Sequence, residues 1–296
     1  MTTVVSKSWS HQCKGDTPNL EWHFQADAEL VSACFSHEPG ETFLTDSSGA
    51  IFRLDRSGEQ LAYNKFQETI EHLCWAETGS FGYGIISDNV LIQFEKSLGT
   101  TWELDLPRRP THLATDPHGR FVICCLPDGQ SLLYNRKGKL FKQLETSSSI
   151  REAQFISDQP AWIGTLEDGS VCCYTMEGKR LWQEKLNSSL GQLAIAHESD
   201  TSYVSTHNLG IRVLNASGRQ QGSLNIEGTT IHVAVSYNGK RILSSNYERV
   251  VSLLEASGKV RWSAESPDTI TQLALSAYGN RAIIAFHSGT VQQICW

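Results

Sequence analysis

Long apolar runs are missing from this sequence, and so is the three-to-four residue spacing of apolar side chains that marks helices. No stretch reaches the ~18 consecutive apolar residues of a membrane span. The opening MTTVVSKSWS lacks the apolar centre of a secretory signal. A chain that stays in the cytoplasm is therefore expected. Positive charge is also short, with Lys and Arg numbering 25 against 32 Asp and Glu and a net charge of −7. That balance counts against nucleic acid and against anionic membrane as partners. The basic pair that stands out, Arg108–Arg109, sits in a Pro-bounded loop. No Cys-x-x-Cys pair is present for zinc or redox chemistry, so the 8 cysteines are expected to be reduced thiols with structural roles.

Catalytic signatures are equally scarce. His-Glu-x-x-His, Gly-x-Ser-x-Gly and the phosphate-binding Gly-x-x-x-x-Gly-Lys-Ser/Thr are all absent. Gly82-Tyr83-Gly84 lacks the third glycine and the following helix of a dinucleotide site, and reads as an irregularity within a strand. Asn187-Ser-Ser and Asn215-Ala-Ser match the glycosylation sequon but, with no secretory signal, read as chance matches. No catalytic residue, metal ligand or cofactor is expected.

What the sequence does contain is a repeat of about forty residues. Its first-strand segments are Leu30–Phe35, Ile70–Trp75, Pro110–Thr115, Ile150–Phe155, Leu190–Ile195, Thr230–Val235 and Ile270–Leu275. Each leads into a turn at Gly40, Gly79, Gly119, Gln159, Asp200, Gly239 or Gly279. A second apolar run follows, then a hairpin signal such as Asp128–Gly129 or Asp168–Gly169. A third strand ends near a glycine (Gly58, Gly99, Gly138, Gly178, Gly218, Gly258), and a fourth begins. Four short strands per repeat, seven times over, predict an all-β, seven-bladed β-propeller with four-stranded antiparallel blades. The expected organisation is an N-terminal extension over 1–19 and one propeller domain over 20–296. Its blades lie near 30–66, 70–106, 110–145, 150–186, 190–226, 230–265 and 270–296 plus 20–26.

The last blade takes its fourth strand from the other end of the chain. Trp102, Trp182 and Trp262 occupy the same place on alternate blades, and one more step back lands on Trp22. The seventh copy stops at Trp296 with three strands. Leu20–Phe24 is therefore expected to complete it, pairing an edge that would otherwise stand open.

The copies resemble WD-repeat propellers through the core Ile270-Thr-Gln-Leu273-Ala-Leu275-Ser276, the Gly-bearing turn after it and the turn before strand three. A secondary similarity to quinoprotein-type propeller repeats rests on Gly258-Lys-Val-Arg-Trp262 and, less completely, Gly178-Lys-Arg-Leu-Trp182. The Gly-His and Trp-Asp dipeptides usual in WD repeats are absent. What the WD-repeat resemblance implies is a non-enzymatic platform for protein partners. A quinone-cofactor dehydrogenase is disfavoured, since that family typically has eight blades.

Two sets of residues are candidates for the functional surface. The third position of strand one is polar in every copy (Ser32, His72, His112, Glu152, Gln192, His232, Gln272), beside Glu71 and Arg151 at the second position. These columns are expected near the central channel. They could bond backbone between blades, or hold a small ligand or divalent ion. The second set is the rim built by strand four-to-one loops and strand two-to-three turns, with Asp88, Arg108, Arg109, Asp128, Asp168, His207, Tyr247, Arg249 and His287. The favoured reading is a scaffold that binds a protein partner through this rim, as a monomeric propeller within a larger complex. The alternative is a lactonase-like channel-site hydrolase using the His/Glu column.

Overall fold

The computed structural model describes residues 9–296; residues 1–8, the first part of the expected extension, lie outside the described residues. The chain is a seven-bladed β-propeller, each blade one antiparallel sheet. Blade one is formed by Leu30–Ser36, Glu41–Asp46, Ala50–Leu54 and Gln60–Lys65. Blade two is Glu71–Trp75, Phe81–Ile86, Val90–Glu95 and Thr100–Asp105; blade three is His112–Thr115, Phe121–Cys125, Gln130–Asn135 and Leu140–Glu145. Blade four comprises Ile150–Phe155, Ala161–Leu166, Ser170–Thr175 and Arg180–Lys185. Blade five comprises Leu190–Ala196, Thr201–Thr206, Gly210–Leu214 and Gln220–Leu224. Blade six has Thr230–Val235, Arg241–Asn246, Val250–Glu255 and Val260–Glu265. Blade seven has Ile270–Leu275, Arg281–Phe286 and Thr290–Cys295, with Asn19–Gln25 as its fourth strand.

The expected closure by the N-terminal strand is present: Asn19–Gln25 runs antiparallel to Thr290–Cys295, with Trp22 opposite Gln293. Residues Val31–Lys185 form one compact unit, blades one to four, and Leu186–Trp296 with the N-terminal residues up to Leu30 form another, blades five to seven. Within each unit the apolar core lies between neighbouring sheets. Phe43, Ile70, Trp75 and Phe94 fill the space between blades one and two. Tyr83, Leu113, Val122 and Cys124 do so between two and three, and Ile123, Ile150, Phe155 and Trp162 between three and four. In the second unit Tyr203, Val233 and Ile242 lie between blades five and six, and Leu243, Trp262, Leu273 and Phe286 between six and seven. In blade four, strands two and three are covered on both faces and are buried almost throughout, whereas strand four, at the sheet edge, alternates.

Repeated hydrogen bonds tie blade to blade at the strand one-to-two turns. In the first unit Glu38 N donates to Glu77 O (3.2 Å) and Thr78 N to Pro117 O (3.3 Å). In the second, Glu198 N donates to Tyr237 O and Tyr237 N to Ala277 O, both at 2.9 Å. Strand two adds hydroxyl donors: Thr45 Oγ1 to Ile70 O (2.9 Å) and Ser205 Oγ to Ile231 O (2.7 Å). At two turn positions that lack glycine, Asp200 (φ 50°) and Arg249 (φ 62°), the backbone still enters the left-handed region. Gly82 has a packing reason. A Cβ there would lie 1.9 Å from Trp75 Cε3, and the Trp75 ring is held in place by stacking on Phe43 at 3.7 Å.

The extension contributes structure that the repeat could not foretell. Trp9–His11 form a 3-10 turn, and Cys13–Gly15 add a fifth strand to blade six, pairing with Val260–Glu265. Trp9 is buried edge-on against Trp262 (5.8 Å) and Phe286 (5.7 Å), and its Nε1–H donates to Gln292 Oε1 at 2.8 Å. All eight cysteines are free thiols. Burial pushes the Cys34, Cys74 and Cys124 thiols above their ordinary range.

Candidate functional site

In the first unit the side chains of the two inner columns reach either loops or the next blade. Strand one carries β-bulges after Glu71 and Ile150, which re-aim the side chains that strict alternation would place. At the second position Glu71 accepts from Arg109 Nη2 at 2.6 Å and Arg151 lies 3.8 Å from Glu167, whereas Thr111 Oγ1 donates to Ile150 O of the next blade at 2.9 Å. Two third-position side chains, Ser32 and His112, bond the backbone of the next blade. Ser32 Oγ accepts from Leu73 N (3.1 Å), and His112 Nε2 lies 3.3 Å from Ala153 O. A carbonyl partner places the imidazole proton on Nε2, leaving the Nδ1 lone pair 3.8 Å from Glu152 Oε2.

Burial sets the protonation of this pair. It pushes the His112 imidazole down to about 4 and lifts the Glu152 carboxyl to about 8. Water still reaches 19% and 28% of the two side chains, but protein encloses both. At neutral pH both groups are therefore mainly uncharged, the imidazole with its proton on Nε2 and the carboxyl protonated. Cys125 stands opposite His112 in the sheet, and burial pushes its thiol up to about 12, so it offers no thiolate for nucleophilic chemistry. Among the described residues no three His, Cys, Asp or Glu side chains converge to hold a metal ion.

His72 departs from its column. Its backbone lies in the left-handed region at φ 48°, unusual for a residue with a side chain in a strand. Burial, then the neighbouring His112, lower its pKa, while Glu71 opposes them. Unlike Ser32 and His112, its ring makes no hydrogen bond among the described residues.

The rim residues of this unit meet the column through Arg109, and its neighbour Arg108 reaches in the opposite direction. Arg109 bridges Glu71 and, at 3.3 Å, Asp88 of blade two, whereas Arg108 pairs with Asp128 of blade three at 3.0 Å. Both remain open, with 56% and 60% of their side chains accessible. Asp168 pairs with Lys185 at 3.7 Å, and its pKa is lowered, with hydrogen bonds from Ser170 and the Lys185 charge outweighing burial.

In the second unit the column is hydrogen-bonded throughout. Gln192 accepts from Val233 N (3.1 Å) through Oε1 and donates to Gln272 Oε1 (2.8 Å) through Nε2. His232 Nδ1 meets Ser245 Oγ at 2.8 Å, and burial lowers its pKa to about 4. Its rim side chains gather in pairs: His207 lies edge-on to Tyr247 at 6.0 Å, Arg249 pairs with Glu265 at 3.4 Å and His287 with Glu29 at 3.5 Å.

Sequence reasoning missed Cys125 as a neighbour of the His112–Glu152 pair, although its strand-two column lies opposite position three in blades three, four, six and seven. It also passed over Arg136–Lys137, in a strand three-to-four turn, and Lys179–Arg180, where such a turn enters strand four. No family model matches this chain, and no curated protein matches it.

Proposed function

We propose that this protein is a non-enzymatic, WD-repeat-like interaction platform that receives a protein partner on the loop end of blades two and three, at His72, Asp88, Arg108, Arg109 and Asp128. The observation that carries this reading is a contrast within one strand position. Ser32, His112, Gln192 and His232 are engaged in bonds that hold the fold, whereas His72 is strained, unbonded among the described residues and adjacent to half-open arginines. Strained backbone beside exposed, mobile-length charges suits a binding surface. Eight unpaired thiols fit a reducing compartment, and we place the platform in the cytoplasm as one propeller within a larger complex.

A lactonase-like hydrolase would have to work through His112 and Glu152. The donor set does not suit it: the carboxyl is protonated near neutral pH, the imidazole proton is held by Ala153 O, and no third ligand joins them among the described residues.

A photo-crosslinking side chain at position 88 tests the platform in its native cell, with His118, exposed in a strand one-to-two turn, as the control position. One discrete protein should cross-link from position 88 and not from 118. Cross-links from 118 alone, or from neither, would remove the partner from this loop end.

A further inference from the structure

Blade six shows that a blade of this chain accepts an extended segment along strand four. Cys13, Lys14 and Gly15 pair with Ala264, Ser263 and Trp262, and Asp16 N donates to Arg261 O at 2.9 Å. Gly15 is required there, since a Cβ would lie 2.0 Å from Arg261 O. The Asp16 carboxylate then pairs with the Arg261 guanidinium. An acidic residue beside an extended strand thus meets a basic residue on the edge it joins.

Three repeats earlier, the equivalent positions of blade three are Leu144, Gln143, Lys142 and Phe141. Leu140–Glu145 is the free edge of its sheet and is exposed over four consecutive residues, Leu140 to Gln143. Leu140 is 52% and Phe141 47% accessible. Around them Arg136, Lys137, Lys139 and Lys142 are exposed, in a chain whose net charge is −7. Lys137, Lys139 and Lys142 form no ion pair among the described residues. In blade four Lys179, Arg180 and Leu181 repeat the motif on the next edge.

Lysines on a bare edge keep two like-charged copies apart. The same charges select a strand of opposite sign. We infer that the edge of blade three takes an extended acidic segment of a protein partner as an added antiparallel strand over Lys142–Leu144, its carboxylates on Lys137, Lys139 and Lys142 and its apolar residues on Leu140 and Phe141. Nucleic acid and anionic lipid would satisfy the charge but leave the backbone ladder unpaired. This surface is separate from the loop end proposed above, so either proposal can fail without the other.

The test is selection of a displayed random-decapeptide library on the full-length protein, with backbone amide exchange mapped for the tightest peptide. Enriched peptides should alternate Asp or Glu with apolar residues and slow exchange over Leu140–Glu145. Their affinity should fall about tenfold in Lys139→Glu/Lys142→Glu, whose thermal melting is checked against the wild type. Methylating alternate amides of the peptide should abolish binding. Enrichment without acidic residues, protection elsewhere, binding that survives amide methylation, or no enrichment would overturn the inference. So would phosphatidylserine vesicles that bind the wild type and displace the peptide.

Discussion

Replacing Trp9 by alanine should weaken the unit of blades five to seven far more than its place outside the repeat suggests. Trp9 is 4% accessible and is wedged between Trp262 of blade six and Phe286 of blade seven. Truncating a buried tryptophan costs about 3–5 kcal/mol, and the two edge-on ring contacts put this site at the upper end. The bond from Nε1–H to Gln292 Oε1 contributes about 1 kcal/mol of that. Trp9→Phe should keep most of the packing and lose roughly that bond. The assay is urea unfolding followed by far-ultraviolet circular dichroism. With an m-value of about 2 kcal/mol/M, Trp9→Ala should lower the midpoint of this unit's transition by about 2 M and Trp9→Phe by about 0.5 M. A Trp9→Ala midpoint within about 0.3 M of the wild type would refute the wedge and leave the segment as a loose appendage.

Acid should destabilise the protein through its column. His112 and His232 fall from 6.5 to about 4 on folding, so the unfolded chain takes up protons that the folded one refuses. Stability should drop as pH falls from about 6.5 towards 4, by on the order of 2–3 kcal/mol per histidine, seen in urea midpoints against pH. Glu152 acts in the other direction. Its carboxyl rises from 4.5 to about 8, so the folded chain keeps a proton that the unfolded one has lost, and stability declines between those values as pH rises. Glu152→Gln should flatten that decline, and an unchanged alkaline limb would contradict burial of the carboxyl. Gly82→Ala, forced against Trp75, should cost about 1–3 kcal/mol, whereas Gly222→Ala, with nothing within 4 Å of the added methyl, should be neutral by thermal melting.

The propeller was legible because its information is repetitive. Apolar alternation with a fixed period names strands, turns and blade count together, and the missing fourth strand of the last copy pointed to Trp22, which pairs where expected. What breaks the period was invisible. Trp9 and Cys13–Gly15 belong to no copy, so only three-dimensional contact reveals that they cover blade six. The column was found as a polar ring, but the contact each side chain makes, with a loop or with the next blade, follows from local strand-one geometry, bulged after Glu71 and Ile150, that the repeat does not encode. Composition concealed the edge of blade three: a net charge of −7 averages away a local cluster of four basic residues between Arg136 and Lys142.

Recovery of the protein cross-linked from position 88, compared among the wild type, Arg108→Glu/Arg109→Glu and His112→Ala, separates binding from support. Charge reversal should reduce recovery at least about tenfold with melting unchanged, since both arginines are open and their present ion pairs contribute little. His112→Ala, which removes the contact to Ala153 O, should lower the melting temperature and leave recovery intact below the transition. Recovery lost with His112→Ala and retained after charge reversal would place the function in the inner column and contradict the rim as the partner surface.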